Sequence, residues 1–316
     1  MTRILITGGG GFIGSRLALA LLARHPEAKV TLLDVAFPQA PDPRLTAITG
    51  DLASAETLAK AMPPETSSVF HLAAVVSGGA EADFDLGYHV NLDGTRALLE
   101  ACRKLKAPPK VVYASSVAAF GGKLPDVLDD STTPTPQTSY GTQKVIGEYL
   151  VADFTRKGMI DGRSLRLPTI VVRPGKPNLA ASSFASSIIR EPLAGVAVDC
   201  PVPETTGVWI LSPHRVVEAF IHAHELPASA WPPGRVVNLP GITLSVREML
   251  EAMGRVSGEE TPKRVRFVPD ARIQAIVKTW PVRFRTDRAL EMGFHADPDF
   301  DSIVRAHRDS ASAQRP

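Results

Sequence analysis

An α/β fold built on a doubly wound, mostly parallel sheet is predicted by three features of the sequence. Short apolar runs of strand length alternate with longer runs of helical period over the first half of the chain. A glycine cluster, Thr7-Gly8-Gly9-Gly10-Gly11-Phe12-Ile13-Gly14, lies directly between the first strand and the first helix. An aspartate, Asp34, ends the second strand. Alternating strands and helices need crossovers, and crossovers place helices on both faces of a parallel sheet.

The elements follow in order from apolar spacing. Residues 3–7 read as a strand, 13–23 as a helix and 29–33 as the next strand. Further buried strands are expected at 45–49 and 69–72, with helices around 54–62 and 85–106. A strand at 110–115 leads into a long loop rich in Asp, Thr and Pro, then a helix over 140–156 and a strand at 164–167. Beyond Pro174 prolines become frequent and helical pieces short, at 184–189, 214–224 and 246–256. The reading is thus a Rossmann-type doubly wound parallel sheet over 1–173, followed by a smaller α/β substrate-binding region over 174–316, with sheet strands free to be shared across that boundary. Ligands bind outside the carboxyl edge of such sheets, so the second region is expected to wall the pocket. The polar tail 309–316 is expected to fray.

Bulk properties exclude several classes. The 316 residues are 44% hydrophobic and 22% charged, ordinary values for a globular chain of one large or two joined domains. A net charge of +2 gives no basis for nucleic acid or an anionic membrane as partner. Cys102 and Cys200 stand far apart in no CxxC pattern, and the start lacks a signal-peptide apolar region. No run reaches the roughly 20 apolar residues that span a bilayer. A soluble, cytoplasmic protein is expected. No metal is expected either: His222 and His224, two apart on a helix, face different ways, and His71 sits at a buried strand end. Met249, Leu250 and Met253 form an apolar helix stripe suited to core packing.

The glycine cluster carries chemistry. Gly8, Gly11 and Gly14 recur at every third position, where the chain must turn sharply, let a pyrophosphate approach the backbone and pack a helix close to a strand. Phe12 and Ile13 open that helix, whose free N–H groups and positive dipole end suit phosphates. Asp34 stands 20 residues after Gly14, where a carboxylate accepts hydrogen bonds from ribose hydroxyls and repels a 2′-phosphate. NAD is therefore expected over NADP.

Tyr140 and Lys144 stand four apart at a helix start, on one face. A free phenol, with a pKa of about 10, is too weakly acidic to serve as a base at neutral pH. A nearby ammonium favours the phenolate. A hydroxyl from Ser116, or alternatively Ser115, at the end of the preceding strand would orient the substrate oxygen.

Over nearly its whole length the chain resembles the extended short-chain dehydrogenase/reductases of the NAD-dependent epimerase/dehydratase superfamily. The resemblance rests on residues 7–14, Asp34, Gly50-Asp51-Leu52, His71-Leu72-Ala73-Ala74, Asn91, Ser115-Ser116, and Tyr140 with Lys144. It implies that Asp51 and Leu52 flank the adenine, and that Leu72, Ala73 and Ala74 pass the cofactor's ribose and phosphates. Asn91 would buttress the sheet or a proton-relay water, with Ser77 and Ser115 near the cofactor's nicotinamide end and Pro168 passing the nicotinamide. Ser116, five residues before Gly121, matches the position of the family's catalytic hydroxyl. Lys144 would lower the tyrosine pKa and hold the nicotinamide ribose. The helices at 85–106 and 140–156 resemble the pair through which the family forms homodimers.

The chain departs from the nucleotide-sugar enzymes of that family after residue 167, where Leu167-Pro168-Thr169-Ile170-Val171-Val172-Arg173-Pro174 replaces their Asn-Val-Tyr-Gly-Pro type of segment. The hydroxyl-rich run 180–195, with 161–169, Trp209-Ile210-Leu211-Ser212-Pro213 and Val237-Asn238-Leu239-Pro240-Gly241, resembles the members that oxidise D-erythronate, a four-carbon sugar acid, at C2. That implies a small sugar-acid substrate contacted by Ser77, Ser116, Tyr140, Arg173 and Ser183. Lys176, Asn178, Arg190, Arg215 and Ser182 are further candidates to hold its carboxylate. A nucleotide-sugar epimerase or dehydratase and a non-catalytic NAD sensor are the alternatives.

Overall fold

The first strand, β1 (Arg3–Thr7), is almost wholly buried and pairs in parallel on both sides. On one side lie β2 (Lys29–Asp34) and β3 (Thr46–Thr49); on the other lie β4 (Ser68–His71), β5 (Lys110–Ser116), β6 (Asp161–Leu167) and the strand Val236–Asn238. All neighbours in this seven-stranded sheet run parallel. The order reverses at β1, whose neighbours β2 and β4 leave in opposite directions, so a crevice forms at the carboxyl ends there. This is the Rossmann-type doubly wound sheet predicted from the sequence.

A computed structural model describes residues 2–175 and 181–313. The chain divides into two units interleaved in sequence. The first comprises residues 1–119, 136–167 and 217–238, and the second 120–135, 168–216 and 239–316. In the first unit, Leu5, Leu33, Val69, Leu98, Leu99, Val111 and Val151 form a core between strands and covering helices. Arg163, fully buried on β6, donates to the carbonyls of Ala223 and His224 and pairs with Asp161. A cation there completes carbonyls at the end of the helix Pro213–Glu225.

In the second unit, Thr169–Ile170, Gly207–Leu211 and Ile242–Ser245 make a three-stranded sheet, and Val198–Cys200 pairs with Val265–Phe267. Val171, Ile188, Ile210, Met249, Met253 and Val304 share its core, the methionine stripe included. The helix Val246–Ser257 opens with a capping box between Ser245 and Glu248.

Two expectations need correction. The single helix expected over 85–106 is three pieces: Phe84–Tyr88, a π-helical turn at His89–Asp93, and Gly94–Cys102. Apolar period alone does not reveal such a widened turn; its cause is Asn91, whose side chain turns inward to bond the backbone of Val75. Of the tail expected to fray, residues 309–313 continue the helix Phe300–Ala313, which Phe300, Ile303 and Val304 anchor in the core, and residues 314–316 lie outside the described residues.

Candidate active site

The glycine loop brings β1, β2 and the turn after β4 together. Gly8 has a φ of +72° and its N–H donates to Leu33 O at 2.8 Å. A Cβ at Gly8 would lie 2.7 Å from Ala73 N, and one at Gly14 only 2.2 Å from Gly8 O. Gly10, which spacing did not single out, is equally constrained: its N–H donates to Asp34 Oδ2 at 3.0 Å, and a Cβ there would lie 2.2 Å from Ala36 O. Asp34 Oδ1 also accepts from Val35 N at 2.7 Å. Two backbone donors thus aim this carboxylate, with further lone pairs left for hydroxyl donors.

Gly11 is the N-cap of the helix Phe12–Arg24, without a side-chain cap or an acidic residue in the first turn. Phe12 and Ile13 are half-buried at its start, with the Arg16 guanidinium 4.3 Å from the Phe12 ring centroid. This loop fits a dinucleotide: glycine backbone where any side chain would clash, uncapped N–H groups, and a carboxylate at the next strand end.

Asp51 accepts from Ala53 N at 2.9 Å and from His89 Nε2 at 2.8 Å, and the first of these holds its carboxyl below the usual range. Leu52 is buried in the core beside Gly94. Leu72, Ala73 and Ala74 follow β4; Leu72 N donates to Thr7 O, and Ala73 N to Thr7 Oγ1 at 3.3 Å. Ser77, half-buried, begins the short helix Ser77–Ala82.

Beneath this turn runs a buried polar chain that residue spacing did not reveal. His71 Nδ1 lies 2.7 Å from Thr7 Oγ1 and Nε2 lies 2.8 Å from Thr95 Oγ1. Thr95 Oγ1 gives its own hydrogen to Asn91 O, so it accepts from His71 Nε2–H. Nδ1 then accepts from Thr7 Oγ1. Burial, with the charge of Lys144 second, pushes His71 down to about 3, so the ring is neutral. Asn91 is 2% exposed; it accepts from Val75 N at 2.8 Å and donates to Val75 O and to Gln143 Oε1.

The helix Ser139–Arg156 carries Tyr140 and Lys144. Thr138 caps it by accepting from Gly141 N at 3.0 Å. A Cβ at Gly141 would lie 2.1 Å from Ala118 O, so glycine lets the helix seat against the turn after Ser116. Ser116 Oγ accepts from Ala118 N at 3.1 Å, which leaves its own hydrogen to donate. Ser115 is buried and donates to Glu148 Oε1 at 2.5 Å, so its hydrogen is committed. Glu148 also accepts a two-pronged bond from Arg166, at 2.8 and 2.6 Å. Lys144 is 2% exposed, with its Nζ 5.5 Å from the Tyr140 ring centroid. A phenol whose ionisation is favoured by a buried ammonium can, as phenolate, take a proton from an alcohol held beside the Ser116 hydroxyl.

Burial pushes the Lys144 ammonium down to about 7, opposed by the Glu148 charge. The unfolded lysine titrates near 10.4. Between those values the unfolded chain binds more protons, so this group makes stability rise with pH from about 7 toward 10. Lys144→Met is expected to abolish that rise and to be more stable than the parent near pH 7. Urea unfolding at several pH values checks it, and an unchanged slope would contradict it.

Pro168, Arg173 and Ser183 belong to the second unit. Pro168 is buried. Arg173 Nε donates to Ile170 O at 3.3 Å and its Nη2 to Ser182 Oγ at 3.3 Å. Ser183, half-buried, opens the helix Ser183–Leu193. Arg190 is spent on Glu191 at 2.6 Å, Ser187 and the carbonyl of Arg173. These bonds tie its guanidinium to the framework of the second unit. Arg215 N donates to Ser212 Oγ at 3.2 Å. Lys176 and Asn178 lie outside the described residues. Among the described residues no helix is long and apolar enough to cross a membrane, and no three His, Cys, Asp or Glu gather as metal ligands.

A D-erythronate dehydrogenase of Cupriavidus necator is 52% identical over 318 residues, covering 98% of each chain. One of Haemophilus influenzae is 45% identical and covers 96% of this chain and 98% of its own. The crystal structure of a nucleoside-diphosphate-sugar epimerase from Agrobacterium tumefaciens superposes with a TM-score of 0.93 at 39% identity, covering 99% of this chain and 95% of the other. The family model for the NAD dependent epimerase/dehydratase family matches residues 4–236. With that match across most of the chain, and near-full-length relatives at this identity, the protein belongs to the NAD dependent epimerase/dehydratase family.

Proposed function

We propose that this protein is an NAD-dependent dehydrogenase that oxidises D-erythronate at C2 to 2-oxo-D-erythronate. The observation that carries this reading is the pair of half-buried Tyr140 and buried Lys144, on a helix seated against the Ser116 turn, in a chain that aligns over nearly its full length with two D-erythronate dehydrogenases. Gly8, Gly10, Gly11, Gly14 and Asp34 would hold the dinucleotide, with Leu72, Ala73, Ala74 and Ser77 along its path. NAD, when bound, supplies the hydride acceptor.

The protein's own part is proton transfer and positioning. Tyr140, as phenolate, removes the proton of the C2 hydroxyl. The Lys144 ammonium beside it favours that ionised form. Ser116 donates to the same substrate oxygen, a role for which its uncommitted hydrogen suits it better than Ser115. Arg173 and Ser183, with Lys176 and Asn178, are the candidates for the substrate's carboxylate and hydroxyls.

The test is a screen of C3–C6 sugar acids with NAD and with NADP. NADH formation from D-erythronate, with NADP much poorer, is the expected result; no NADH from any acid counts against it. A product isomerised with no net NADH would favour the epimerase reading, which the Agrobacterium tumefaciens structure keeps in view. Gly14→Ala is expected to destabilise the fold by about 1–3 kcal/mol, since its Cβ meets backbone that cannot yield, and to weaken NADH binding about tenfold or more. Thermal melting and NADH fluorescence titration check both.

A homodimer and a cytoplasmic location complete the proposal. Phe84, Leu86 and Tyr149 stand exposed on helices at 84–88 and 139–156, which supports pairing of these faces. Light scattering at the monomer mass would contradict it.

A further inference from the structure

Lys144 is a buried cation without a buried anion of its own. No carboxylate lies within ion-pairing distance of it among the described residues. Glu148, one turn further along the helix, spends both oxygens on Arg166 and one of them on Ser115 as well. What the Lys144 Nζ does face is the ring of Tyr113, 4.9 Å from its centroid, with the Tyr140 ring centroid at 5.5 Å. Both distances fall within the roughly 6 Å over which an aromatic face attracts a cation.

Tyr113 is itself unusual. It lies on β5 with no exposed surface, and its hydroxyl is buried without a hydrogen-bond partner. A buried tyrosine ordinarily finds a partner for its hydroxyl. Room for that oxygen exists only because residue 147 is glycine: a Cβ there would lie 2.3 Å from it. Beside the ring, in register on the neighbouring strand β4, stands His71, at 5.4 Å between centroids. His71 is tied to Thr7 and Thr95 through both nitrogens and is neutral, so no second charge competes for the ring.

We infer that Tyr113 is a positioning residue for Lys144, and that the face of its ring, rather than its hydroxyl, holds the lysine's charge in the buried site. The inference rests on the reading of Tyr140 and Lys144 as the reacting pair. The charged or titratable groups around Lys144 are His71 on β4, Tyr113 on β5, Arg166 on β6 acting through Glu148, and Tyr140 and Glu148 on its own helix. At the start of that helix Glu81 accepts from Ser139 N. Of these, only Tyr113 and Tyr140 present an aromatic face to the ammonium.

The test compares Tyr113→Phe with Tyr113→Leu and Tyr113→Met, all in the full chain with NAD and the sugar acid that the screen identifies. Tyr113→Phe keeps the aromatic face and removes the orphan hydroxyl; it should hold kcat within about twofold and leave the pH profile in place. Leu and Met fill the space without a π face. They should lower kcat about tenfold and move the ascending limb of kcat against pH upward by about half to one unit, while NADH affinity and cooperative melting persist. Loss of packing alone would lower stability without moving that limb. An unshifted limb in a folded Leu or Met variant overturns the inference, and so does a Phe variant as impaired as they are. Full turnover in Tyr140→Phe would instead overturn the reading of the reacting pair, so the two failures are told apart.

Discussion

Tyr140→Phe is expected to lower kcat for the sugar acid by about 10²–10⁴-fold, the range typical for loss of a positioned acid–base group. The substitution removes one oxygen and keeps the ring that Lys144 Nζ faces at 5.5 Å. The helix that carries it starts from the Thr138 cap and is seated by Gly141 against Ala118, neither of which depends on the hydroxyl. Melting temperature and NADH affinity should therefore stay close to those of the parent. Steady-state kinetics with NADH titration separates the two effects. A variant with parental kcat would exclude Tyr140 as the base.

The second large effect concerns stability. Glu148→Ala is expected to cost about 3–5 kcal/mol of unfolding free energy, because it leaves the Arg166 guanidinium buried without its anion. The pair is largely shielded, with side chains 4% and 11% exposed, and the bond is two-pronged. Ser115 loses its acceptor in the same step, and Lys144 loses the carboxylate that favours its charged form. Glu148→Gln, which preserves shape and part of the hydrogen bonding, should cost less. Urea unfolding of both variants measures the difference, and equal stability of the parent and Glu148→Ala would contradict it.

These two residues sit four apart from Lys144 on either side, yet only one of them could be read from the chain. The glycine spacing, Asp34 and the Tyr140–Lys144 pair were legible because each depends on local geometry. A turn, a strand end and one face of a helix are all set within a few residues. The parallel sheet was legible for the same reason, as a sum of local periods. The π-helical turn at Asn91 was not, since its cause is a bond to Val75, sixteen positions earlier. Gly10 stood outside the three-residue spacing and shows its constraint only where Ala36 folds back beside it.

By itself the sequence determined the doubly wound class, a glycine loop between the first strand and first helix, and the candidate base with its lysine. Tertiary structure decided which of two adjacent serines keeps a free hydrogen, because Ser115 meets Glu148 only when β5 and the helix Ser139–Arg156 pack together. It decided that Arg190 bonds to Glu191 and to the Arg173 carbonyl. It also decided what surrounds Lys144: a tyrosine ring from β5, a neutral histidine beside that ring on β4, and a carboxylate already claimed by an arginine from β6. Burial and pairing of charge arise from strands brought together across the sheet, and no spacing along one strand or helix contains them.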